Sequence, residues 1–460
     1  MSIASKVTYT SLFGTDGIRD KANEGALSPQ NVRRLGRVTG YLLRRSPALF
    51  GAKKAVTMEI SIARDTRESG GEIGKNLTDG FIASGVDVHS VGVLPTPALG
   101  WLTRRGKYSL GCVISASHNR FDDNGIKFFS SRGMKIPDRA ERAIERYFFA
   151  KDDFSGKTLC KGKRKVITAD YVDGIVRKFG NAISLKGIRI VIDCANGATY
   201  RVAPDIFRKF GADVVVINNK PNGRNINSSC GALHPALLSK VVLREKADLG
   251  VAFDGDGDRA IFVDEEGNIR DGDYVLAICA TRIKKKTPLF RTVVSTVMAN
   301  YGLEHYLKNI GIKLLRTKVG DKFVCAEMMK RKLPLGGEQS GHIIFLDILP
   351  TGDGIITALK VLEAITNEGK TMTQLCSVLQ KFPQQLINVK VASKPQLTNI
   401  KSVKKILTNG EEQLNGNGRI VLRYSGTEQL ARVMVEGRDE KLVDAIAKDI
   451  AEAIRCEIGV

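Results

Sequence analysis

Residues Gly187 to Gly197 read GIRIVIDCANG, an apolar run that Asn and Gly bring to a stop. This composition predicts a buried strand followed by a turn. Thr199 to Phe210 then predicts an amphipathic helix, and Ala212 to Asn218 predicts a second strand. Strand, helix and strand in this order form one crossover unit, so the stretch predicts an α/β fold.

The same alternation of β-rich runs and amphipathic stretches continues along the chain and indicates mixed or parallel sheets. Three composition shifts divide it: a basic tract at Lys157 to Lys165, a charged turn at Asp264 to Gly272, and a change from helix to strand at residues 382–383. We therefore predict four domains, over residues 1–165, 166–268, 269–382 and 383–460. The last is small and ends in an amphipathic helix over Asp439 to Arg455.

The composition is that of a globular protein. The chain has 460 residues, of which 43% are hydrophobic and 26% charged, and this balance excludes disordered, collagen-like and coiled-coil proteins. Met1 to Asp20 lacks the basic and apolar regions of a secretory signal, and no segment approaches the roughly 20 apolar residues of a membrane span. We expect a soluble, cytoplasmic protein whose eight scattered cysteines are reduced thiols.

The strongest chemical signal is DGDGDR at Asp254 to Arg259, directly after the apolar run Leu249 to Phe253. Its three carboxylates alternate along the chain, and the intervening glycines let the backbone curl so that the carboxylates converge. Converging carboxylates repel one another unless a cation lies between them, and oxygen ligands favour a hard ion such as Mg²⁺. A plain polar turn and a Ca²⁺ loop are the alternatives, although the strand-like AIFVD that follows argues against an EF-hand.

A second string, VISASHNRFDDNGIKFF, spans Val113 to Phe129. Its first residues predict the end of a strand, and the small and polar residues after them predict an exposed loop that presents the Ser117 hydroxyl. An ordinary loop of turn formers is the alternative. A Ser/His hydrolase is disfavoured because adjacent Ser117 and His118 side chains diverge and no G-x-S-x-G elbow frames the serine. A phosphoryl-accepting serine fits better, since the chain also offers a metal loop and anion sites.

Two further strings carry groups that bind sugars or anions. Leu335 to His342, LGGEQSGH, places a Glu, a Ser and a His among glycines, which suits sugar hydroxyls or a tight turn. Arg423 to Gly437, RYSGTEQLARVMVEG, offers two Arg, two hydroxyls and a Gly on one loop. That set predicts either a phosphate-binding loop or an ordinary hairpin with surface arginines. The chain has no Walker A or G-x-G-x-x-G motif, so the usual signature of nucleotide binding is absent.

These four strings, in their order along the chain, resemble the loops of the α-D-phosphohexomutase family. The resemblance begins at LFGTDGIRD, Leu12 to Asp20, and extends nearly to the C-terminus. Gln339 in GEQSGH and RTKVGD at Arg316 to Asp321 resemble the branch that acts on glucosamine phosphates. The phosphomannomutase/phosphoglucomutase branch is the alternative. The family fold implies three related α/β domains with mixed sheets and a smaller C-terminal α+β domain around a central cleft.

The resemblance implies an intramolecular phosphotransferase that interconverts glucosamine 6-phosphate and glucosamine 1-phosphate, ahead of UDP-N-acetylglucosamine synthesis. It implies that Ser117 is a phosphoserine and that glucosamine 1,6-bisphosphate is the intermediate. It also implies that one Mg²⁺ is bound by the Ser117 phosphate together with Asp254, Asp256 and Asp258.

The resemblance also implies roles for cationic and polar residues. Lys127 matches the general base, with Arg19 and His118 nearby and Arg259 in contact with the phosphoryl group. We expect neighbouring cations such as Arg19 to depress the pKa of Lys127. The residues implied to bind the substrate are Glu338, Ser340, His342, Arg423, Ser425, Gly426, Thr427 and Arg432.

Two positions depart from the family pattern. Arg120 and Gln429 replace the prolines of SASHNP and SGTEP, and losing a proline loosens a preset backbone angle. Arg120 is also expected to add a cation close to the nucleophile. We expect these changes to affect the rigidity of the two loops and the rate of turnover, and not the reacting groups themselves.

The net charge of +22 and the basic run RIKKK at Arg282 to Lys286 suggest a nucleic-acid-binding protein as a rival class. Only 6% of residues are aromatic and the basic residues are dispersed, so nucleic acid is disfavoured as a partner. Some of the charge would attract a phosphosugar. An inactive sugar-phosphate binder is disfavoured by the intact Ser117, acidic residues and Lys127. We expect a small phosphosugar as partner, no membrane contact, and allow for a homodimer.

Overall fold

The structure is a computed structural model that describes residues 11–14, 16–53, 58–106, 108–150, 162–180, 182–425 and 429–460. Within these ranges the strands form four sheets, one after another along the chain. In the same ranges no helix combines the length and apolar character needed to cross a bilayer.

The first sheet contains six strands, of which only the fifth runs against its neighbours. Its strands are β1 (Ile18–Lys21), β2 (Met58–Arg64), β3 (Val86–Val93), β4 (Leu110–Ile114), β5 (Asp123–Ser130) and β6 (Arg164–Val166). Its helices are α1 (Pro29–Arg45), α2 (Gly70–Ala83), α3 (Thr96–Arg105) and α4 (Asp138–Phe149). The spatial order is β1-β5-β4-β2-β3-β6, so the loops after β2 and β4 leave the same edge of the sheet.

The second sheet contains the predicted crossover. Its elements are α5 (Tyr171–Phe179), β7 (Arg189–Asp193), α6 (Val202–Lys209), β8 (Asp213–Ile217), α7 (Ala236–Glu245), β9 (Leu249–Phe253), β10 (Ala260–Asp264) and β11 (Ile269–Arg270). β7 lies between β8 and β9 and is parallel to both, which confirms the strand-helix-strand prediction. The helix starts later than predicted because Pro204 then falls in its first turn, where a missing N–H costs nothing.

The third sheet has four strands and is covered by helices, with the order β13-β12-β14-β15. Its elements are α8 (Gly272–Lys286), β12 (Thr292–Thr296), α9 (Tyr301–Asn309), β13 (Lys313–Thr317), α10 (Asp321–Arg331), β14 (Leu335–Gly337), β15 (Ile343–Phe345), α11 (Gly354–Glu368) and α12 (Met372–Cys376). The last two strands form an antiparallel hairpin.

The fourth sheet is smaller and entirely antiparallel, with the order β16-β18-β17. Its elements are β16 (Gln384–Lys390), α13 (Lys401–Leu414), β17 (Gly418–Tyr424), β18 (Leu430–Gly437) and α14 (Glu440–Ile458). The predicted C-terminal helix is α14, which begins after an Asp439 side chain that caps two backbone N–H groups.

Hydrophobic packing separates the last sheet from the rest. One continuous core joins the second and third sheets to part of the first, whereas the C-terminal sheet and its helices have a core of their own. The predicted linker at Lys157 to Lys165 lies partly outside the described residues, and its end is not a linker: Arg164 begins the edge strand β6, parallel to β3. The exact domain boundaries stay a prediction.

Candidate active site

The acidic loop at Asp254 to Asp258 connects β9 to β10. The carboxylate oxygens of Asp254, Asp256 and Asp258 lie within 4.8 Å of one another, and all three residues are buried. Gly257 has a φ of +75°, a backbone conformation that glycine adopts without strain. A Cβ at position 255 would lie 2.6 Å from the Ser117 carbonyl oxygen, so only glycine lets the two loops approach. The predicted convergence of the carboxylates is confirmed.

Only some of the carboxylate oxygens of the acidic loop accept a hydrogen bond from the protein. Asp256 Oδ2 accepts from Thr96 Oγ1 at 2.6 Å and from Lys127 Nζ at 3.0 Å. By contrast, Asp256 Oδ1 and Asp258 Oδ1 are buried and find no hydrogen-bond donor among the described residues. Buried carboxylate oxygens without donors are costly unless a cation satisfies them. The donor set therefore fits a hard divalent ion.

Burial and charge shift the pKa values within this loop in opposite directions. Burial and the neighbouring carboxylates of Asp258 and Asp256 raise the pKa of Asp254 well above its ordinary value. Burial acts in the same direction on Asp256, but the charge of Lys127 and the hydrogen bond from Thr96 outweigh it and lower the pKa of Asp256. Asp256 thus stays ionised more firmly than Asp254.

Ser117 lies in the loop between β4 and β5, opposite the acidic loop. Its Oγ donates to Asp254 Oδ2 at 2.7 Å and lies 3.3 Å from His118 Nδ1. The serine is only 2% exposed, so the prediction of an exposed loop is wrong at this residue: the acidic loop of the second sheet covers it. The structure brings together a hydroxyl and a carboxylate that are 137 residues apart in sequence.

Lys127 lies on β5 and is 2% exposed. Its Nζ is 3.0 Å from Asp16 Oδ2 and 3.0 Å from Asp256 Oδ2. Burial and Arg19 lower its pKa, but the carboxylates of Asp16 and Asp256 outweigh them and raise it above the ordinary lysine value. The predicted depression of the Lys127 pKa is therefore wrong, because the sequence did not reveal Asp16 as a partner.

Arg19, His118 and Arg259 surround this pair of loops. Arg19 Nη2 lies 2.5 Å from Asp16 Oδ2, and its Nη1 donates to Asn119 Oδ1 at 3.4 Å. Burial and the charges of Arg259 and Arg19 lower the pKa of His118 to about 4, so the ring is neutral at pH 7.

Arg259 follows the acidic loop directly. Its Nε lies 3.8 Å from Asp258 Oδ1, outside hydrogen-bond distance. The Nε atoms of Arg259 and Arg19 are buried without an acceptor in the described part of the chain. Both guanidinium groups therefore have donor capacity left for an anion.

The predicted sugar-binding residues lie in the tight turn between β14 and β15. Glu338 Oε1 accepts from the Gly320 N–H at 3.0 Å, and Ser340 Oγ lies 3.4 Å from Glu338 Oε2. Both residues are partly exposed, which leaves them accessible to a ligand.

His342 differs from its two neighbours in the turn because it is only 3% exposed. Its Nδ1 is 3.5 Å from Asp258 Oδ2, and its Nε2 accepts from the Gly352 N–H at 3.0 Å. Burial lowers its pKa, but the carboxylates of Asp258, Asp321 and Glu338 raise it to about 9. A doubly protonated ring would lose the bond from Gly352. The bond from Gly352 therefore fixes Nε2 as the acceptor and places the ring proton on Nδ1, toward Asp258.

Arg423 and Arg432 lie on the C-terminal sheet, directly opposite each other on β17 and β18. The prediction that they share a loop is wrong, because the strands extend further toward the turn than expected. Burial and the charge of Arg432 lower the pKa of Arg423. Two guanidinium groups held side by side favour an anion between them. Ser425 follows β17, whereas Gly426 and Thr427 lie outside the described residues.

Four family models match the chain in order. They are the phosphoglucomutase/phosphomannomutase alpha/beta/alpha domains I, II and III and the C-terminal domain, over residues 10–155, 169–267, 271–382 and 386–453. The phosphoglucosamine mutase of Citrifermentans bemidjiense is 44% identical over 454 residues, which cover 97% of this chain and 98% of the relative. The phosphoglucosamine mutase of Bdellovibrio bacteriovorus is 44% identical over 456 residues, covering 98% and 99%.

The chain belongs to the phosphoglucomutase/phosphomannomutase family. A family protein from Burkholderia thailandensis has the same fold, with a TM-score of 0.78, 24% identity, and 98% and 99% of the two chains covered. The N-acetylphosphoglucosamine mutase of Aspergillus fumigatus gives a TM-score of 0.67 at 18% identity, with 97% and 95% covered. These similarities confirm the predicted phosphohexomutase resemblance, the four-domain α/β architecture and an intramolecular phosphotransferase.

Several residues of the site could not be recognised from the sequence. Asp16 binds Lys127, Thr96 donates to Asp256, and Lys135 connects Asp16 to Asp321. Most of these residues come from segments distant in sequence. Only Thr96 had a usable signal: it follows the parallel strand β3, and the carboxyl ends of parallel strands meet at one edge of a sheet.

Arg120, one of the two departures from the family pattern, does not face the nucleophile. Its side chain is 82% exposed and lies 3.5 Å from Asp122. The expected extra cation beside Ser117 is therefore wrong, because the loop turns this side chain toward solvent.

Proposed function

We propose that this protein interconverts glucosamine 6-phosphate and glucosamine 1-phosphate, with Ser117 as the carrier of the transferred phosphoryl group. The observation that carries the proposal is the 2.7 Å contact between Ser117 Oγ and Asp254, residues that belong to different sheets. The choice of an amino sugar is supported by the names of the full-length relatives, which are phosphoglucosamine mutases.

We propose Mg²⁺ as the metal, held by Asp254, Asp256 and Asp258 together with the phosphate on Ser117. The three side chains offer only oxygen atoms, and two of these atoms are buried without a donor in the described ranges. The A. fumigatus enzyme is known in complex with GlcNAc-6P and magnesium, which supports this choice. When bound, the ion polarises phosphoryl oxygens and offsets part of the carboxylate charge.

The first transfer exchanges one P–O bond for another. The bond between Ser117 Oγ and phosphorus breaks, and a bond forms between phosphorus and the free hydroxyl oxygen of the sugar phosphate. Arg259 and Arg19 supply N–H groups that stabilise charge on the transferring group. The product is a 1,6-bisphosphate, which turns over in the cleft and returns its other phosphoryl group to Ser117.

The hydroxyl proton must pass to a base of the protein during this transfer. We propose Lys127 as the acceptor: burial and Arg19 act to lower the lysine pKa, and offsetting the charge of Asp256 removes one of the carboxylates that raise it, while Asp16 stays in contact. His118 is a second candidate because its ring is neutral and its Nδ1 lies 3.3 Å from Ser117 Oγ. The same base returns the proton in the second transfer.

The substrate is proposed to be held at both ends. Glu338 and Ser340 are accessible and carry the acceptor and donor groups that sugar hydroxyls need. Arg423 and Arg432 would bind the phosphate that does not react, with Ser425, Gly426 and Thr427 completing that site. His342 would orient Asp258 rather than contact the sugar, since its ring is buried against that carboxylate.

The test is turnover of a panel of sugar phosphates: glucosamine, N-acetylglucosamine, glucose and mannose phosphates. We expect the highest kcat/KM with glucosamine phosphate, no measurable turnover in Ser117→Ala, and normal turnover in the control Ser131→Ala, whose hydroxyl binds the Gly51 carbonyl oxygen. A preference for glucose or mannose phosphates would support the phosphoglucomutase/phosphomannomutase alternative. Turnover by Ser117→Ala would contradict the carrier role. The predicted homodimer is a separate proposal, which light scattering of the purified protein tests.

A further inference from the structure

Arg67 follows β2 and is the largest side chain of the described residues that is fully buried. All five of its guanidinium N–H groups have acceptors. Nε donates to Asp65 Oδ2 at 2.8 Å, and the four remaining N–H groups donate to backbone carbonyl oxygens. A side chain saturated in this way cannot contact a substrate, so its function must be exerted through the groups that it holds.

The four carbonyl groups all belong to the Ser117 loop. Nη2 donates to the carbonyl oxygens of Ser117 and Asn119, both at 2.9 Å. Nη1 donates to the carbonyl oxygens of Arg120 and Asp123, the latter at 3.0 Å. One side chain thus fixes the loop from the nucleophile to the first residue of β5.

Asp65 connects the same side chain to the other end of the loop. Its Oδ2 accepts both from Arg67 Nε and from Ser115 Oγ, the second bond at 2.6 Å. Ser115 Oγ in turn accepts from the Ser117 N–H at 2.9 Å. Arg67 therefore holds the carbonyl group of the nucleophile directly, and Asp65 holds its N–H through Ser115.

Ser117 needs such support because its φ is +52°, in the left-handed region that non-glycine residues adopt at a cost. A residue stays in this region only when its surroundings hold it there. In this conformation its Oγ reaches Asp254 at 2.7 Å. Relaxation to a negative φ would turn the hydroxyl away from the acidic loop.

Asn227, which follows β8 of the second sheet, binds two of these four carbonyl groups. Its Nδ2 donates to Ser117 O at 2.9 Å and to Asn119 O at 3.0 Å. These are the two oxygens that Arg67 Nη2 also contacts. The nucleophile's backbone is therefore fixed from two directions, once within its own sheet and once from the neighbouring one.

We propose that Arg67 and Asn227 are positioning residues that fix the direction of the Ser117 hydroxyl during phosphoryl transfer. The proposal rests on the proposed function, because it assigns these residues to that reaction. Neither residue needs to touch the substrate. Their loss should therefore lower kcat and leave the KM for the sugar phosphate nearly unchanged.

The principal test uses Arg67→Lys, which keeps a cation beside Asp65 but cannot donate to four separate carbonyl oxygens. We expect kcat to fall about 10²-fold, the usual cost of misplacing a reacting group by about 1 Å, with KM changed by less than about threefold. Guanidinium ion should partly restore the kcat of Arg67→Ala. Arg44→Lys is the matched control, because Arg44 also donates to a backbone carbonyl, that of Ser84, far from this loop.

A second readout does not depend on activity. Arg120 has an exposed side chain, but its carbonyl group is held by Arg67, so trypsin should cut the wild-type chain slowly after Arg120. We expect cleavage at this bond, identified by mass spectrometry of the fragments, to accelerate about tenfold or more in Arg67→Lys, as the loop opens locally. The Arg44→Lys control should be cut at the wild-type rate.

Asn227→Asp gives an independent test of the proposal if the Arg67 variants fail to fold. The replacement keeps the size of the side chain and its tolerance of the positive φ of 57°, but turns a donor into an acceptor that repels both carbonyl groups. We expect a lower kcat and faster cleavage after Arg120 here too. Unchanged kcat and cleavage in Arg67→Lys or in Asn227→Asp would overturn the proposal. A wild-type protein that turns over no sugar phosphate would instead contradict the proposed function, whereas the cleavage result would still report on the loop.

Discussion

Two regions of this molecule are proposed to handle phosphate, and they differ in what holds them. The transfer site consists of Ser117 and the three acidic residues of the loop after β9, all at most 7% exposed and contributed by two different sheets. The C-terminal arginine pair, Arg423 and Arg432, is partly exposed and lies on one hairpin of a sheet with its own core. The site that breaks bonds is thus fixed by several elements, and the site that only binds depends on one.

Hydrogen bonds link the C-terminal sheet, which carries the arginine pair, to the segment after β12 in the third sheet. Asn300 donates to the Phe382 carbonyl oxygen at 3.0 Å and to Glu436 at 3.3 Å. Arg419 donates to the Ala299 carbonyl oxygen at 2.7 Å. Because the hydrophobic cores are separate, changes in one region should disturb the other little. We therefore expect changes at the transfer site to affect kcat, and changes at the arginine pair to affect KM.

The largest effect is expected for Asp256→Ala, which removes the transfer-site carboxylate that binds Lys127. Turnover should fall about 10⁴-fold, because both the metal and Lys127 lose a ligand or partner. Isothermal titration with Mg²⁺ should show lost binding. Asp213→Ala, at an exposed carboxylate of the same sheet, is the control. Undiminished Mg²⁺ affinity would place the metal elsewhere.

Lys127→Met is expected to lower kcat about 10³-fold, within the range of general acid–base catalysis. Steady-state kinetics should show little change in KM, since the lysine is buried behind the acidic loop. His118→Gln is the comparison variant. If it lost more activity than Lys127→Met, the proton acceptor would be His118.

The buried character of the transfer side predicts a pH dependence of stability. Asp353, 2% exposed, caps α11 and accepts from the Tyr171 hydroxyl at 2.7 Å, and the next residue's N–H donates to the carbonyl of Gly257. Burial raises the pKa of Asp353 to about 6, despite hydrogen bonds that lower it. Since the folded protein holds this proton more tightly, the group stabilises the fold at pH 4 and loses that contribution as the pH rises through 6.

The loss amounts to about 3 kcal/mol of the free energy of unfolding. Urea denaturation between pH 4 and 7 should show it as the difference between wild type and Asp353→Asn, which has no such proton. Parallel pH profiles of the two proteins would contradict a desolvated Asp353.

The smallest effect is expected at the C-terminal arginine pair. Arg423→Met and Arg432→Met should each raise the KM about tenfold, the cost of one charge-assisted hydrogen bond, and leave kcat nearly unchanged. Arg438→Met, just beyond the other end of β18, is the matched control. A fall in kcat without a change in KM would remove the contrast between the two regions.

The sequence predicted the groups that are close together in the chain. The acidic loop could be recognised because carboxylates and glycines alternate directly after an apolar strand, and Ser117 because a strand runs into small polar residues. The family resemblance extended the predicted site to Lys127 and the substrate-binding loops. The strands β7, β8, β9 and β10 and the helix α14 all lie where periodicity predicted them.

The remaining features depend on contacts between distant segments. The raised pKa of Lys127 is due to Asp16 and Asp256, each more than 100 residues away, and the burial of Ser117 is due to the second sheet. Arg67 was not recognised because nothing local indicates that its donors reach a loop 50 residues later. The exact register of the C-terminal hairpin, which pairs Arg423 with Arg432, likewise follows from strand extension rather than from composition.

The most direct test of the account is transfer of a labelled phosphoryl group. Protein treated with glucose 1,6-bisphosphate carrying ³²P should become labelled, and peptide mapping should place the label on Ser117. Unlabelled glucosamine 6-phosphate should then remove that label at the rate of turnover. Label on another residue, or turnover without any labelled protein, would contradict the claim that Ser117 carries the phosphoryl group.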